Sequence, residues 1–182
     1  MILGVTGING AGKGTVVEYL VQKGFKHYWV REFLVEEIKR RGLRVDRSSM
    51  REVANDLRQK HGPSYVIETL YARAQDEGTN ALIESVRVLG EANFLKDHGV
   101  TLIAVDADRK VRYERVVARS SETDKVDFDT WVKEEEREWA NTDAWDMDVV
   151  GVMKLADFTL QNNGTIEELH AQIDEVLKQI TK

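Results

Sequence analysis

Short, almost wholly apolar runs alternate along this chain with stretches whose apolar residues recur every three to four positions. Ile2–Thr6 is apolar and followed by glycines, the pattern of a strand buried on both faces. Helical spacing begins at Gly12 and puts Val16, Val17, Leu20 and Val21 on one side before Gly24. The pattern then predicts a strand at Phe25–Trp29 and a helix with Phe33, Leu34 and Ile38 that stops at Gly42. Ser48 or Ser49 suits the cap of a further helix carrying Val53 and Leu57. Gly62-Pro63 ends it, and Pro63 fits the first turn of the next helix. Strands are expected at Ala81–Ser85 and Thr101–Val105, with a helix through Leu89–Lys96 between them. A charged helical region runs from Asp108 to Trp139, interrupted around Ser120–Asp127. Phe158–Gln161 reads as the last strand, and Thr165 with Glu168 forms a capping box before a closing amphipathic helix. Apolar strands alternating with amphipathic helices predict an α/β fold of three layers, with a five-stranded, mostly parallel sheet in the middle.

A length of 182 residues suits one domain, spanning 1–182. With 42% hydrophobic and 32% charged residues, the chain has the makings of a packed core rather than a disordered segment. No apolar run approaches the ~20 residues of a membrane span. The first residues lack the basic flank and small-residue cleavage site of a secretory signal, and there is no cysteine, so a cytoplasmic location is expected. A net charge of −6 argues against nonspecific nucleic-acid binding, which needs a basic face to displace counterions. The four histidines are scattered without metal-ligand spacing, and Ser48 and Ser49 have no triad partners. Glu134, Glu135, Glu136 and Glu138 read as a solvated helix face, and Trp131, Trp139 and Trp145 as residues that seat the core or a lid.

Chemistry is concentrated between the first strand and the first helix. Gly7-Ile8-Asn9-Gly10-Ala11-Gly12-Lys13-Gly14-Thr15 fits the phosphate-loop pattern G-x-x-x-x-G-K. Glycines let main-chain amides curl around phosphate oxygens, and the helix N-terminus adds partial positive charge. Asn9, Gly10, Ala11, Gly12, Lys13, Gly14 and Thr15 are therefore the expected ATP-phosphate ligands, with Lys13 the cation for the transferring group. Gly14 stands where the Mg²⁺-binding hydroxyl usually follows the lysine. The metal is accordingly expected at Thr15 and at Glu84, mainly through water. No N-K-x-D segment is present to read guanine. Arg87 follows the third strand directly, at the rim where open α/β sheets bind ligands, and is read as a clamp on the acceptor.

The Gly12-Lys13-Gly14-Thr15 ending resembles adenylate kinases and related nucleoside monophosphate kinases. The stretch Ala156-Asp157-Phe158-Thr159-Leu160-Gln161-Asn162-Asn163-Gly164-Thr165 through Leu169 is similar to the last strand and helix of dephospho-CoA kinases, which implies that Asn162 lies beside adenine. Val30–Leu43, Leu57–Gly62, Leu82–Arg87, Asp127–Trp139 and Val149–Asp157 resemble an archaeal-type group of nucleotide-kinase-like proteins related to both families. These resemblances imply a P-loop kinase fold with an acceptor-binding helical region at 30–78 and a helical lid at 112–139. They imply acceptor contacts from Arg31 and Glu32, although Val35 falls where an adenylate kinase carries arginine. Arg112, Arg115 and Arg119 share one helix side, and Arg115 and Arg119 match the catalytic lid arginines in spacing. The activity implied is transfer of the γ-phosphoryl group of ATP, with Mg²⁺, to a nucleoside monophosphate or similar nucleotide-like acceptor. Dephospho-CoA kinase is the alternative within the class, and a non-catalytic or slowly hydrolysing nucleotide-binding regulatory module the alternative outside it.

Overall fold

The computed structural model describes residues 1–118, 127–139 and 143–181, apart from the side chains at 47, 134, 137 and 138. Five strands, β1 (Ile2–Gly7), β2 (Lys26–Trp29), β3 (Ala81–Glu84), β4 (Thr101–Asp106) and β5 (Phe158–Gln161), form one sheet in the order β2-β3-β1-β4-β5. Every pairing is parallel. The sequence expectation of a five-stranded α/β sheet is met, and the reason is burial. β1 and β4 lie inside the sheet with helices on both faces, so their interior side chains are apolar apart from Thr6, whose buried hydroxyl donates to Val86 O at 2.7 Å.

Crossover helices cover the sheet unequally. On one face, α1 (Lys13–Gln22) and α9 (Ile166–Ile180) enclose a core of Leu3, Val5, Val16, Leu20, Leu82, Ile103, Leu160, Leu169 and Ile173. On the other lie α2 (Val30–Arg40), α3 (Arg47–His61), α4 (Tyr65–Glu77) and α5 (Leu89–Asp97), packed over Tyr28, Ile83 and Leu102. α6 (Arg109–Ala118), α7 (Phe128–Trp139) and α8 (Val149–Lys154) sit toward the C-terminal ends of the strands or bridge to them.

Several boundaries differ from the sequence expectation for identifiable reasons. Asp46, not Ser48 or Ser49, caps α3, its Oδ1 accepting from the Ser49 amide at 3.0 Å. Pro63 precedes α4 rather than entering its first turn and packs against Gly90 instead. β3 stops at Glu84 because Ser85 adopts a left-handed conformation with φ 76°, a strained choice for a residue with a Cβ. That turn lets the Ser85 and Val86 amides both donate to Val5 O, at 3.0 and 3.3 Å. α8 is a single capped turn and a half, with Asp148 accepting from the Gly151 amide at 2.8 Å, too short to show in a periodicity. The capping box at Thr165 and Glu168 is present as expected. The expected interruption at Ser120–Asp127 falls almost wholly outside the described residues. Among the described residues no helix is long and apolar enough to cross a membrane.

Candidate active site

The loop between β1 and α1 is shaped from behind as much as from in front. Gly12 is the N-cap of α1 in a left-handed conformation, φ 97°, so the chain turns into the helix with its first amides directed out of the loop. A Cβ on Gly12 would collide with the side-chain amide of Asn162, and one on Gly10 would sit 2.5 Å from the carbonyl oxygen of Arg112. Both residues have positive φ as well, so the two glycines are required twice over. Lys13 folds across the loop and its Nζ donates to Gly7 O at 2.9 Å and Ile8 O at 3.0 Å.

Glu84 ends β3 on the same sheet face as Leu82, the face that α1 covers, and lies opposite Trp29 in the strand register. Burial by itself would raise its pKa, but the nearby His27 ring and the charges of Lys13 and Arg87 outweigh it and hold the carboxyl below its ordinary 4.5. His27 Nε2 stands 3.3 Å from Glu84 Oε2. A carboxylate ionised by a phosphate-loop lysine on one side and a rim arginine on the other is a suitable partner for a hydrated cation. The sign of the linkage is fixed. A lowered folded pKa gives stability that is complete above about pH 4.5 and is lost as pH falls through the lower folded value. Glu84→Gln is expected to flatten that part of the acid limb in a series of melting curves taken between about pH 2.5 and 6.

Arg87 is placed by backbone rather than by its side chain. Its amide donates to Glu91 Oε2 at 3.0 Å, that of Val88 donates to the same oxygen at 3.2 Å, and its carbonyl accepts from the Asp148 amide at 2.9 Å. Glu91 in turn is gripped through Oε1 by Arg58 Nε and Nη2, at 3.0 and 2.7 Å, in a fully buried pair. The Arg87 guanidinium lies 3.6 Å from Met147 Sδ and faces a pocket lined by Gly7, Ile8, Asn9, Arg87, Glu135, Trp139 and Val149.

α7 closes that pocket from above, and here the sequence expectation of a solvated glutamate face is corrected. Glu135 is buried because Arg112 and Arg109 both reach it from α6, Arg112 closely and Arg109 Nε at 3.3 Å. Glu136 fits the solvated description, half exposed and 3.4 Å from Arg109, and the side chains of Glu134 and Glu138 lie outside the described ones. Trp131 is buried beneath the Arg112 guanidinium and Trp139 lies under Arg109, so these two tryptophans seat α7 on α6.

Asn162, at the end of β5, is buried, and its Nδ2 donates to Ala11 O at 2.8 Å. Its Oδ1 accepts from Arg115 Nη2 at 3.4 Å. The other terminal nitrogen of Arg115, Nη1, is buried with no hydrogen-bond partner among the described residues, 3.9 Å from where a Gly12 Cβ would be.

Of the residues singled out in the sequence, then, Asn9, Lys13, Glu84 and Arg87 gather at one rim, and Ala11, Gly12, Arg115 and Asn162 meet on the far side of the loop. Gly14 and Thr15 form the first turn of α1. Arg31 and Glu32 are exposed in the first turn of α2 and do not line the pocket. Arg119 lies outside the described residues. Glu91, Glu135 and His27 were not legible as site residues. Each acts through a partner distant in sequence, and a lone Glu or His on a periodic segment gives no signal of that.

The chain is similar to known proteins. A family profile described as an AAA domain (AAA_18) matches residues 3–142. A UPF0200 protein of Thermococcus kodakarensis is 30% identical over 99% of this chain and 98% of its own length. The chain belongs to the UPF0200 family. A second UPF0200 protein, from Sulfurisphaera tokodaii, is 31% identical over 98% of this chain and 97% of its own. Among solved structures, the shikimate kinase of Acinetobacter baumannii in complex with shikimate superposes with a TM-score of 0.60. It covers 99% of the UPF0200 chain and 92% of its own, at 13% identity, so the likeness is one of P-loop kinase fold.

Proposed function

We propose that the protein is an ATP-dependent phosphotransferase that moves the γ-phosphoryl group to a nucleoside monophosphate or a similar nucleotide-like acceptor. One observation carries the reading: the loop that presents Lys13 and the arginine that follows β3 face each other across a single pocket roofed by α7. Phosphoryl transfer needs little covalent help from a protein, only two anions held in line and their spreading charge neutralised. Residues Asn9 to Thr15 would take the donor phosphates, and Arg87 the acceptor's phosphate. An ionised acceptor oxygen attacks the γ-phosphorus as the bond to the β-phosphate bridging oxygen breaks, leaving ADP. A phosphate acceptor is already deprotonated near neutral pH, so no general base is required. This favours a monophosphate over the hydroxyl of dephospho-CoA, for which Glu32 is exposed outside the pocket lining.

Mg²⁺ suits the donor set: the Thr15 hydroxyl and the ionised Glu84 are single oxygen ligands for a cation that keeps several waters. When bound, it supplies further neutralisation of the phosphate charge. Arg115 and, by resemblance, Arg119 would neutralise charge on the transferring group, with 112–139 acting as lid and 30–78 as acceptor region. Excluding water beneath α7 favours transfer over hydrolysis.

The test is incubation with Mg-ATP and a panel of nucleoside monophosphates, deoxynucleotides and dephospho-CoA, with the consumed acceptor identified by mass. Product from one monophosphate supports the reading, and ATP binding without any phosphorylated product assigns a regulatory module instead. Arg87→Ala is expected to raise the acceptor KM by about tenfold or more and to leave ATP affinity within about twofold. The reverse selectivity removes Arg87 from the acceptor side.

A further inference from the structure

We infer that Asn162 is a positioning residue: it holds Arg115 against the phosphate loop so that one guanidinium nitrogen faces the phosphates of the bound donor. The inference rests on the donor site proposed above and departs from the adenine contact that the family resemblance implies for this residue. Three observations carry it. The Asn162 side chain is spent at both ends, Nδ2 on Ala11 O at 2.8 Å and Oδ1 on Arg115 Nη2 at 3.4 Å. Both polar atoms are thus committed to the protein, and a base would find only one hydrogen and one lone pair beside them. Its amide orientation is dictated by its neighbours, since a carbonyl only accepts and a guanidinium only donates. Asparagine is thus suited where aspartate is not, because a carboxylate would face the Ala11 carbonyl with like partial charge. Finally, Gly12 lacks the Cβ that would occupy the space of the Asn162 amide, so the loop is cut to receive this side chain.

The consequence is at Arg115. With Nη2 tethered, Nη1 is buried beside Gly12 without a partner among the described residues. A buried cationic donor left unsatisfied is costly, and the cost is removed when an anion arrives in the loop. Arg115 therefore waits in the orientation that an incoming phosphate needs, its reorganisation already done.

The experiment compares binding of Mg-ATP and of inorganic tripolyphosphate, which has phosphates but no base, to the unaltered protein and to Asn162→Ala, Arg115→Ala and the double variant. Asn162→Ala is expected to weaken both ligands by a similar factor, about tenfold, and to add nothing further in the Arg115→Ala background. Melting temperatures, read alongside, are expected to fall on loss of Asn162 in either background. A merely structural role would make the affinity losses additive, which overturns the inference. Loss of ATP affinity with tripolyphosphate unchanged overturns it in favour of adenine contact. Should Asn162→Ala not fold, Asn162→Asp keeps the shape but loses the donor to Ala11 O and draws Arg115 into an ion pair, and must also weaken both ligands. Unchanged affinities there overturn the inference. If the unaltered protein binds neither ligand, the donor-site reading fails first and takes the inference with it.

Discussion

Replacing Lys13 by alanine is expected to lower turnover by a factor of about 100 or more while leaving the protein folded. Deleting one preorganised donor to a developing oxyanion typically removes ~10²–10³ in rate, and Lys13 brings a full charge rather than a dipole. Its ammonium is held by two carbonyl oxygens of the loop, Gly7 and Ile8, so the cation is kept beside the cradle before any ligand enters. Those two hydrogen bonds are only partly buried. Their loss is worth about 1 kcal/mol each at most, which shifts the melting temperature by a few degrees. The contrast between a large kinetic effect and a small thermal one is the diagnostic. Rates measured with the acceptor found in the panel decide it, and near-normal turnover would defeat the assignment of the phosphate loop.

The largest effect on stability is expected from Arg58→Ala. The Arg58 side chain is 4% exposed and that of Glu91 is 0%, so removing one leaves the other as an unpaired buried charge. Breaking such a pair costs about 3–5 kcal/mol, or roughly 10 °C in melting temperature at this chain length. Glu91 also accepts from the Arg87 and Val88 amides, so the damage does not stay in the core. Acceptor binding is expected to weaken along with stability, as judged by the acceptor KM well below the melting temperature. A variant that melts like the unaltered protein would show that the pair contributes no net stability.

What the sequence disclosed and what it withheld divide along one physical line. Strands, helices and the phosphate loop follow from local periodicity and from glycines at fixed spacing, and the structure has all five strands where the apolar runs fall. The phosphate loop itself was legible because Gly12 and Lys13 stand together between an apolar strand and a helix. Pairings across the fold were not. Glu135 resembles its neighbour Glu136 in sequence, and the approach of α6 to α7 separates the buried carboxylate from the solvated one. Asn162 shows the same limit from the other side: its place near the loop follows from the last strand, but the atoms it engages depend on Ala11 and Arg115, far away along the chain. The turn at Ser85 was hidden too, because serine gives no hint of a left-handed backbone that glycine would have announced.

The snug rear contacts of Gly10 and Gly12 bear on how this protein's descendants would diverge. Since bulk at either place strikes the fold's own scaffolding, a lineage that abandoned catalysis altogether would still be held to both glycines by the need to fold. On the proposed reading, loss of activity would register first at the charged positions, Lys13 and Arg87. Those two are the residues by which working members and silent ones should be told apart.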